Sequence, residues 1–347
     1  MKTPKPWLIV GMAAVSLVAG VLVVRHIMQQ AMYRPGTVSA RADLEPPVQT
    51  SDDWEVAPGI VLRHFETGNG RVALAISGGP GAASDRSWPA LDAVGGLRTH
   101  YYHQRGCGDS SAGFQLDPDA STWSRIQALE RQLGLGQQIA DIERVRRKEQ
   151  LVLIGHSYGG LLAASYAAEF PDRVEALVLL APADLLVMPS PYGDLFVRMR
   201  EGLPNSRRAE FDRWQAEYLD LPGAFHRTEE QLMALDEVFV ELYAEATGEP
   251  LPPADHPPGV WMARAQYFSL GQRHDWREFF GRIVSPTLVI HGEDDMQPEA
   301  ASRAWVAAIP DAQWRLIPGA DHFLHADPDQ TRTAIASFLR PYLTVTE

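Results

Sequence analysis

The chain has 347 residues, 45% hydrophobic and 22% charged, a globular balance that excludes wholesale disorder. At this length one large domain with an insertion, or two domains, is expected. The formal net charge of −13, with no basic stripe to offset it, excludes nucleic acid as a partner, and the single cysteine, Cys107, excludes an intramolecular disulfide and a cysteine zinc site.

Residues 7–24 carry no charge and are followed by Arg25 and His26. As a helix this run covers about 27 Å, near the thickness of a hydrocarbon core. It ends in Val-Leu-Val-Val-Arg, with no small-residue cleavage site before Ser39-Ala40. A single-pass membrane anchor over 1–27 is therefore expected, ahead of the alternative, a cleaved signal and a secreted product. Lys2 and Lys5 favour a cytoplasmic N-terminus and an extracytoplasmic domain, against Arg25, Arg34 and Arg41 on the other side. Residues 28–50, with Pro35, Gly36, Pro46 and Pro47, read as a linker or stalk.

From residue 51 short apolar runs alternate with helical stretches, the pattern of a mostly parallel sheet flanked by helices. Strands are expected over 60–65, 72–76, 99–103, 151–154, 176–180, 287–290 and 314–317. Helices are expected over 124–148, 159–169, 299–309 and 328–343, the last with Asp327 as N-cap and Pro328 in its first turn. Over 183–284 the strand signals vanish and Leu, Met, Arg, Glu and aromatic residues recur at helical spacing. The fold class is thus α/β: a core of 51–182 and 285–347, interrupted by a helical lid over 183–284 at the sheet's C-terminal edge.

The strongest local signal is Gly155-His156-Ser157-Tyr158-Gly159-Gly160, between the apolar strand 151–154 and an Ala/Leu-rich helix. A turn this tight needs glycines beside the serine and lifts Ser157 above the sheet edge as a nucleophile. A serine hydroxyl needs a base and a carboxylate to orient that base, in chain order Ser, acid, His. After strand 287–290 comes His291-Gly292-Glu293-Asp294-Asp295; Asp295 is the expected acid, with Asp294 and Asp184 as rivals. His322, after the last strand, is the expected base, with His325 as the alternative and His291 read as a strand-end residue. The oxyanion donors expected are the N–H of Tyr158 and that of Gly79, in the loop Ser77-Gly78-Gly79-Pro80-Gly81, since Pro80 has no N–H.

These motifs, with Gln104-Arg105-Gly106-Cys107-Gly108 and the helix Ala140-Asp141-Ile142-Glu143-Arg144, resemble the serine aminopeptidases typified by proline iminopeptidase, within the α/β-hydrolase superfamily. The resemblance implies an acyl-enzyme hydrolase of short peptides or amino-acid amides, with Arg105 and Cys107 supporting the oxyanion loop and no cofactor or metal in the reaction. It covers 54–182 and 286–342 but fades in the lid. There the family holds the substrate amine with glutamates, one just ahead of an aromatic pair. The matching segment Arg264-Ala265-Gln266-Tyr267-Phe268 has no acid, which leaves Glu237, Glu241 and Glu245 as lid candidates and a carboxylesterase of acyl esters as the alternative. Ser77 stands where the family has His, and His103 where it has Asp.

Overall fold

Strand β4 (Arg71–Ile76) runs apolar from Val72 to Ile76 because both of its faces are covered. The same holds for β6 (Leu151–His156), β7 (Val174–Leu180) and β10 (Thr287–Gly292). With β3 (His64–Gly68), β5 (Leu97–Tyr102) and β11 (Ala312–Ile317) they form a seven-stranded sheet, in the order β11-β10-β7-β6-β4-β5-β3. All pairs are parallel except the edge pair β3–β5. This computed structural model describes residues 29–45, 53–110, 114–146, 150–248, 251, 255–256, 258–324 and 328–343. The expected strand over 60–65 is split: β1 (Trp54–Ala57) and β2 (Ile60–Leu62) form a separate hairpin, and β3 begins at His64.

Alternating side chains build two core layers. Leu74, Ile76, Leu153, Leu177, Leu179 and Val289 pack on one face, and Ala73, Ala75, Val152, Ile154, Val178 and Ile290 on the other. The first layer is covered by α2 (Thr122–Leu133), α3 (Leu135–Arg146), α4 (Tyr158–Glu169) and α10 (Glu299–Ala308). The second is covered by α1 (Pro89–Asp92) and α11 (Pro328–Leu339). The single helix expected over 124–148 is two helices broken at Gly134. The space a side chain would need there is filled by the Glu130 carbonyl and by Ser269 Oγ, which accepts from the Leu135 N–H at 2.9 Å.

The insertion is helical as expected, with α5 (Leu195–Gly202), α6 (Asn205–Tyr218), α7 (Glu229–Thr247) and α8 (Val260–Leu270). Its two ends are tied by a short antiparallel pair, β8 (Val187–Met188) with β9 (His274–Asp275), before α9 (Arg277–Phe280) returns the chain to the sheet. A separate apolar cluster of Phe196, Met199, Phe211, Trp214, Leu242 and Tyr243 packs against Met296 and Phe323. The insertion therefore touches the loops that carry Asp295 and His322.

The stalk reading of 28–50 does not hold over 29–45. Tyr33 and Val38 are buried, the N–H groups of Met32 and Tyr33 donate to the carbonyls of Phe268 and Ser269 at 3.2 and 3.1 Å, and Gln30 bridges to Arg273. Buried Glu169, at the end of α4, accepts from the Tyr33 hydroxyl and the Gly36 N–H at 2.6 and 2.7 Å, and from the Ser39 N–H and hydroxyl at 2.9 and 2.8 Å. Proline and glycine content suggested a stalk, but two buried side chains and one carboxylate fix the segment in place. Among the described residues no helix is long and apolar enough to cross a membrane; the anchor expected over 1–27, like Pro46, Pro47, His325 and Asp327, lies outside the described residues. Glu169→Ala should strand these donors and lower the unfolding free energy by about 3 kcal/mol, read as a reduced denaturant midpoint at unchanged slope.

Candidate active site

Ser157 lies between the last residue of β6 and the first of α4, with φ 54° and ψ −120°. A left-handed backbone at a non-glycine residue costs on the order of 1–3 kcal/mol and persists only where its surroundings hold it. Here the Ser157 N–H donates to the Leu180 carbonyl at 2.9 Å, and its own carbonyl accepts from Gly160 and Ala183 at 2.9 and 3.0 Å. The glycine requirement expected from sequence is met sterically: a Cβ at Gly155 would strike the Gly159 carbonyl, and one at Gly159 the Ile76 carbonyl. The side chain is left half-buried at the C-terminal edge of the central strand, with the N-terminus of α4 behind it.

Of the three candidate acids, Asp295 is the one that meets His322. Asp295 Oδ2 lies 2.9 Å from His322 Nδ1, and Oδ1 accepts from the Gln297 N–H at 2.7 Å. The Asp295 side chain is 1% exposed and that of His322 14%, so the pair is shielded while the imidazole keeps an accessible edge. A carboxylate only accepts, so Nδ1 carries the proton and the Nε2 of the neutral ring carries the lone pair that a base needs. Asp294 is exposed, and Asp184 is occupied by the Ser190 hydroxyl, burial raising its pKa above the usual carboxylate range.

The loop after β4 comes close to the elbow: a Cβ at Gly78 would stand 3.0 Å from that of Ser157. Gly79 has φ 116°, a conformation open to glycine, and a Cβ there would sit 2.7 Å from the Gly81 nitrogen. Among the described residues neither the Gly79 nor the Tyr158 N–H donates a hydrogen bond. Tyr158 is buried, and its hydroxyl donates to Gln266 of α8 at 2.7 Å. The side chain reaching the loop is that of Gln104, whose Nε2 donates to the Ser77 carbonyl at 2.9 Å. Arg105 stands behind it in a bidentate pair with Asp141 of α3, both bonds 2.7 Å. Cys107 is buried against Gly259, its thiol pKa pushed up to about 12 by desolvation.

His156, His291 and Gln297 pack around the pair in roles that the motifs did not assign. His156 Nε2 donates to the His322 carbonyl at 2.8 Å, and the two rings lie 4.9 Å apart, which holds the histidine loop beside the elbow. His291 is more than a strand end. Its Nδ1 lies 3.7 Å from Asp295 Oδ2 and 3.0 Å from Ser302 Oγ, and burial lowers its pKa and keeps it neutral. Gln297 spans the site, its side chain bonding the Pro182 carbonyl and the Asp184 N–H at 2.8 and 3.0 Å. In the insertion, Glu237 is exposed, and Glu241 and Glu245 are paired with Arg207 on the surface at 2.6 and 2.9 Å. The buried lid acid is instead Asp236, 3.4 Å from Arg264, with Phe239 and Tyr243 on the same face of α7 leading to Phe323. Its helical spacing was the available signal.

This frame matches a family model described as alpha/beta hydrolase fold over residues 74–329. The chain belongs to that family. This alpha/beta hydrolase is 26% identical over 248 residues to a proline iminopeptidase of Saccharolobus solfataricus, covering 66% of this chain and 71% of that one. It is 31% identical over 194 residues to a pimeloyl-(acyl-carrier protein) methyl ester esterase of Chromobacterium violaceum, covering 54% and 69%. Among solved structures, a Mycobacterium smegmatis proline iminopeptidase matches in fold, with a TM-score of 0.55 and 19% identity over 83% of this chain and 97% of that one. The likeness to proline iminopeptidases read from the motifs is thereby shown.

If Asp295 orients His322, Asp295→Asn should lower kcat/KM by about 10⁴-fold, while Asp294→Asn and Asp184→Asn stay near wild type in steady-state ester hydrolysis.

Proposed function

We infer that this alpha/beta hydrolase is a serine hydrolase that works through an acyl-enzyme on Ser157. His322 Nε2 takes the Ser157 proton as Oγ adds to the substrate carbonyl, and returns it to the leaving group as the tetrahedral intermediate collapses. Water then repeats the sequence on the acyl-enzyme, with His322 again as base. Asp295 holds His322 in the Nδ1–H tautomer and stabilises the transient imidazolium. The Gly79 and Tyr158 N–H groups receive the oxyanion, each worth about 10²–10³ in rate. The observation that carries this reading is the Asp295–His322 pair at 2.9 Å beside a serine held at φ 54°. The steps use no metal or organic cofactor.

The relatives support a short peptide or amino-acid amide with a free N-terminus as substrate. One observation favours a second reading, a neutral acyl ester: the buried lid acid Asp236 is already countered by Arg264, and Glu237, Glu241 and Glu245 face outward. An ammonium entering there would meet no unbalanced negative charge and would have to be desolvated against a cation. A fluorophosphonate probe should label wild type and not Ser157→Ala, whose kcat should fall by about 10⁶-fold; equal labelling of both would sink the assignment. Turnover of nitrophenyl esters without amino-acid anilides would select the esterase reading, and the reverse the aminopeptidase.

For location, the uncharged run over 7–24 supports a membrane-anchored enzyme with an extracytoplasmic domain. Full-length protein should stay in the membrane pellet after alkaline carbonate extraction, a version lacking residues 1–27 should not, and a periplasm-active reporter fused after Glu347 should be active.

A further inference from the structure

A second cluster of chemistry-bearing side chains lies past the oxyanion loop, outside the serine site. Asp85 comes from the loop after β4, His103 from the residue after β5, and His256 from the segment leading into α8. His103 Nε2 is 3.4 Å from Asp85 Oδ1, His256 Nε2 is 2.9 Å from Asp85 Oδ2, and the two rings are 4.6 Å apart. One donor atom from each of the three residues falls within 4.8 Å of the others. Tetrahedral coordination with bonds of about 2.1 Å sets such atoms about 3.4 Å apart, so closure needs a shift of about an ångström, in the half-exposed Asp85 and the His256 segment.

Two observations point to a cation. His103 is 1% exposed, and its Nε2, aimed into the cluster, makes no hydrogen bond. Beyond His256 stands a second carboxylate, Asp109, with Oδ1 3.7 Å from His256 Nδ1. At that distance a small side-chain rotation would form the outer-sphere hydrogen bond that orients a metal-bound imidazole and raises its basicity. The cluster thus gathers two carboxylates around two imidazoles. Opposing this, the Asp109 N–H donates to His103 Nδ1 at 3.2 Å. A metal on Nε2 requires the Nδ1–H tautomer, so that bond is exchanged for the metal bond, and no proton is gained or lost by the ring.

The geometry points to a binding site for a divalent transition metal of the zinc type, ligated by Asp85, His103 and His256 with Asp109 in support. Two imidazoles and one carboxylate match zinc or cobalt(II) better than calcium or magnesium, which take oxygen ligands. The ion would join three segments at the edge of the oxyanion loop. Asp255 already accepts from Ser84 Oγ, the Asp85 N–H and Arg86 Nε at 2.8, 3.3 and 3.0 Å, and the Gly259 N–H donates to the Gly81 carbonyl at 3.0 Å. Its role is to clamp the lid segment to the loop that carries Gly79, not to activate water.

The test uses full-length protein without a polyhistidine tag, stripped with a chelator and titrated with cobalt(II). Uptake of one equivalent with a tetrahedral visible spectrum is expected, together with a zinc-dependent rise in Tm. His256→Gln and Asp85→Asn should lose both, and Asp109→Asn should bind about 10–100-fold more weakly. Circular dichroism confirms that each variant is folded, and Asp85→Asn, at a half-exposed position, serves if His256→Gln is not. No uptake by wild type, or the same spectrum and stoichiometry in His256→Gln and Asp85→Asn, overturns the site and leaves a cluster bridged by protons alone. Neither readout depends on hydrolysis, so the outcome is separate from that of the Ser157 assignment.

Discussion

The structure depends on one backbone constraint, the left-handed conformation of Ser157 between β6 and α4. β6 is the centre of the seven-stranded sheet, paired with β4 on one side and β7 on the other. Both neighbours contribute to the strained turn. β7 accepts the Ser157 N–H through Leu180, and the end of β4 is so close to Gly159 that only hydrogen fits between them. The strain is therefore distributed over three strands and a buried helix, which is why a single residue can hold it. It also places the Ser157 side chain, the Tyr158 N–H and the loop after β4 within one small volume.

The rest of the site is arranged around that point by groups that do no chemistry themselves. His156 anchors the backbone of His322, Gln297 fixes Asp295 through its N–H and ties it to the loop after β7, and His291 lies behind the carboxylate. The insertion closes the assembly from above, since Met296 and Phe323, each next to a site residue, pack into its aromatic cluster. The insertion thus packs directly on the loops bearing Asp295 and His322.

The lid is also where family likeness and local chemistry separate. Arg264 occupies the segment in which the related peptidases have an acid, and it finds its counter-ion within the insertion at Asp236 while lying over the Tyr218 ring at 5.8 Å. A buried ion pair of this kind is weak evidence for stability. Its consequence is electrostatic, because it cancels the negative charge that would attract an amine.

Much was legible in the sequence because it was encoded locally. Apolar runs of strand length, glycines flanking a serine, and the order of serine, acid and histidine each depend on residues close together in the chain. They gave the sheet, the elbow, His322 and the preference for Asp295. The choice among Asp295, Asp294 and Asp184 needed tertiary structure, since only the fold shows which carboxylate meets the imidazole. The docking of residues 29–45 on Glu169 was likewise invisible, because it joins positions more than a hundred residues apart and proline and glycine masked its two buried side chains. The sequence by itself determined the serine elbow and the parallel core, through short-range sterics and periodicity. Only the tertiary structure decided which side chains share a charge, because hydrogen bonds and ion pairs depend on distance in space and not on distance along the chain.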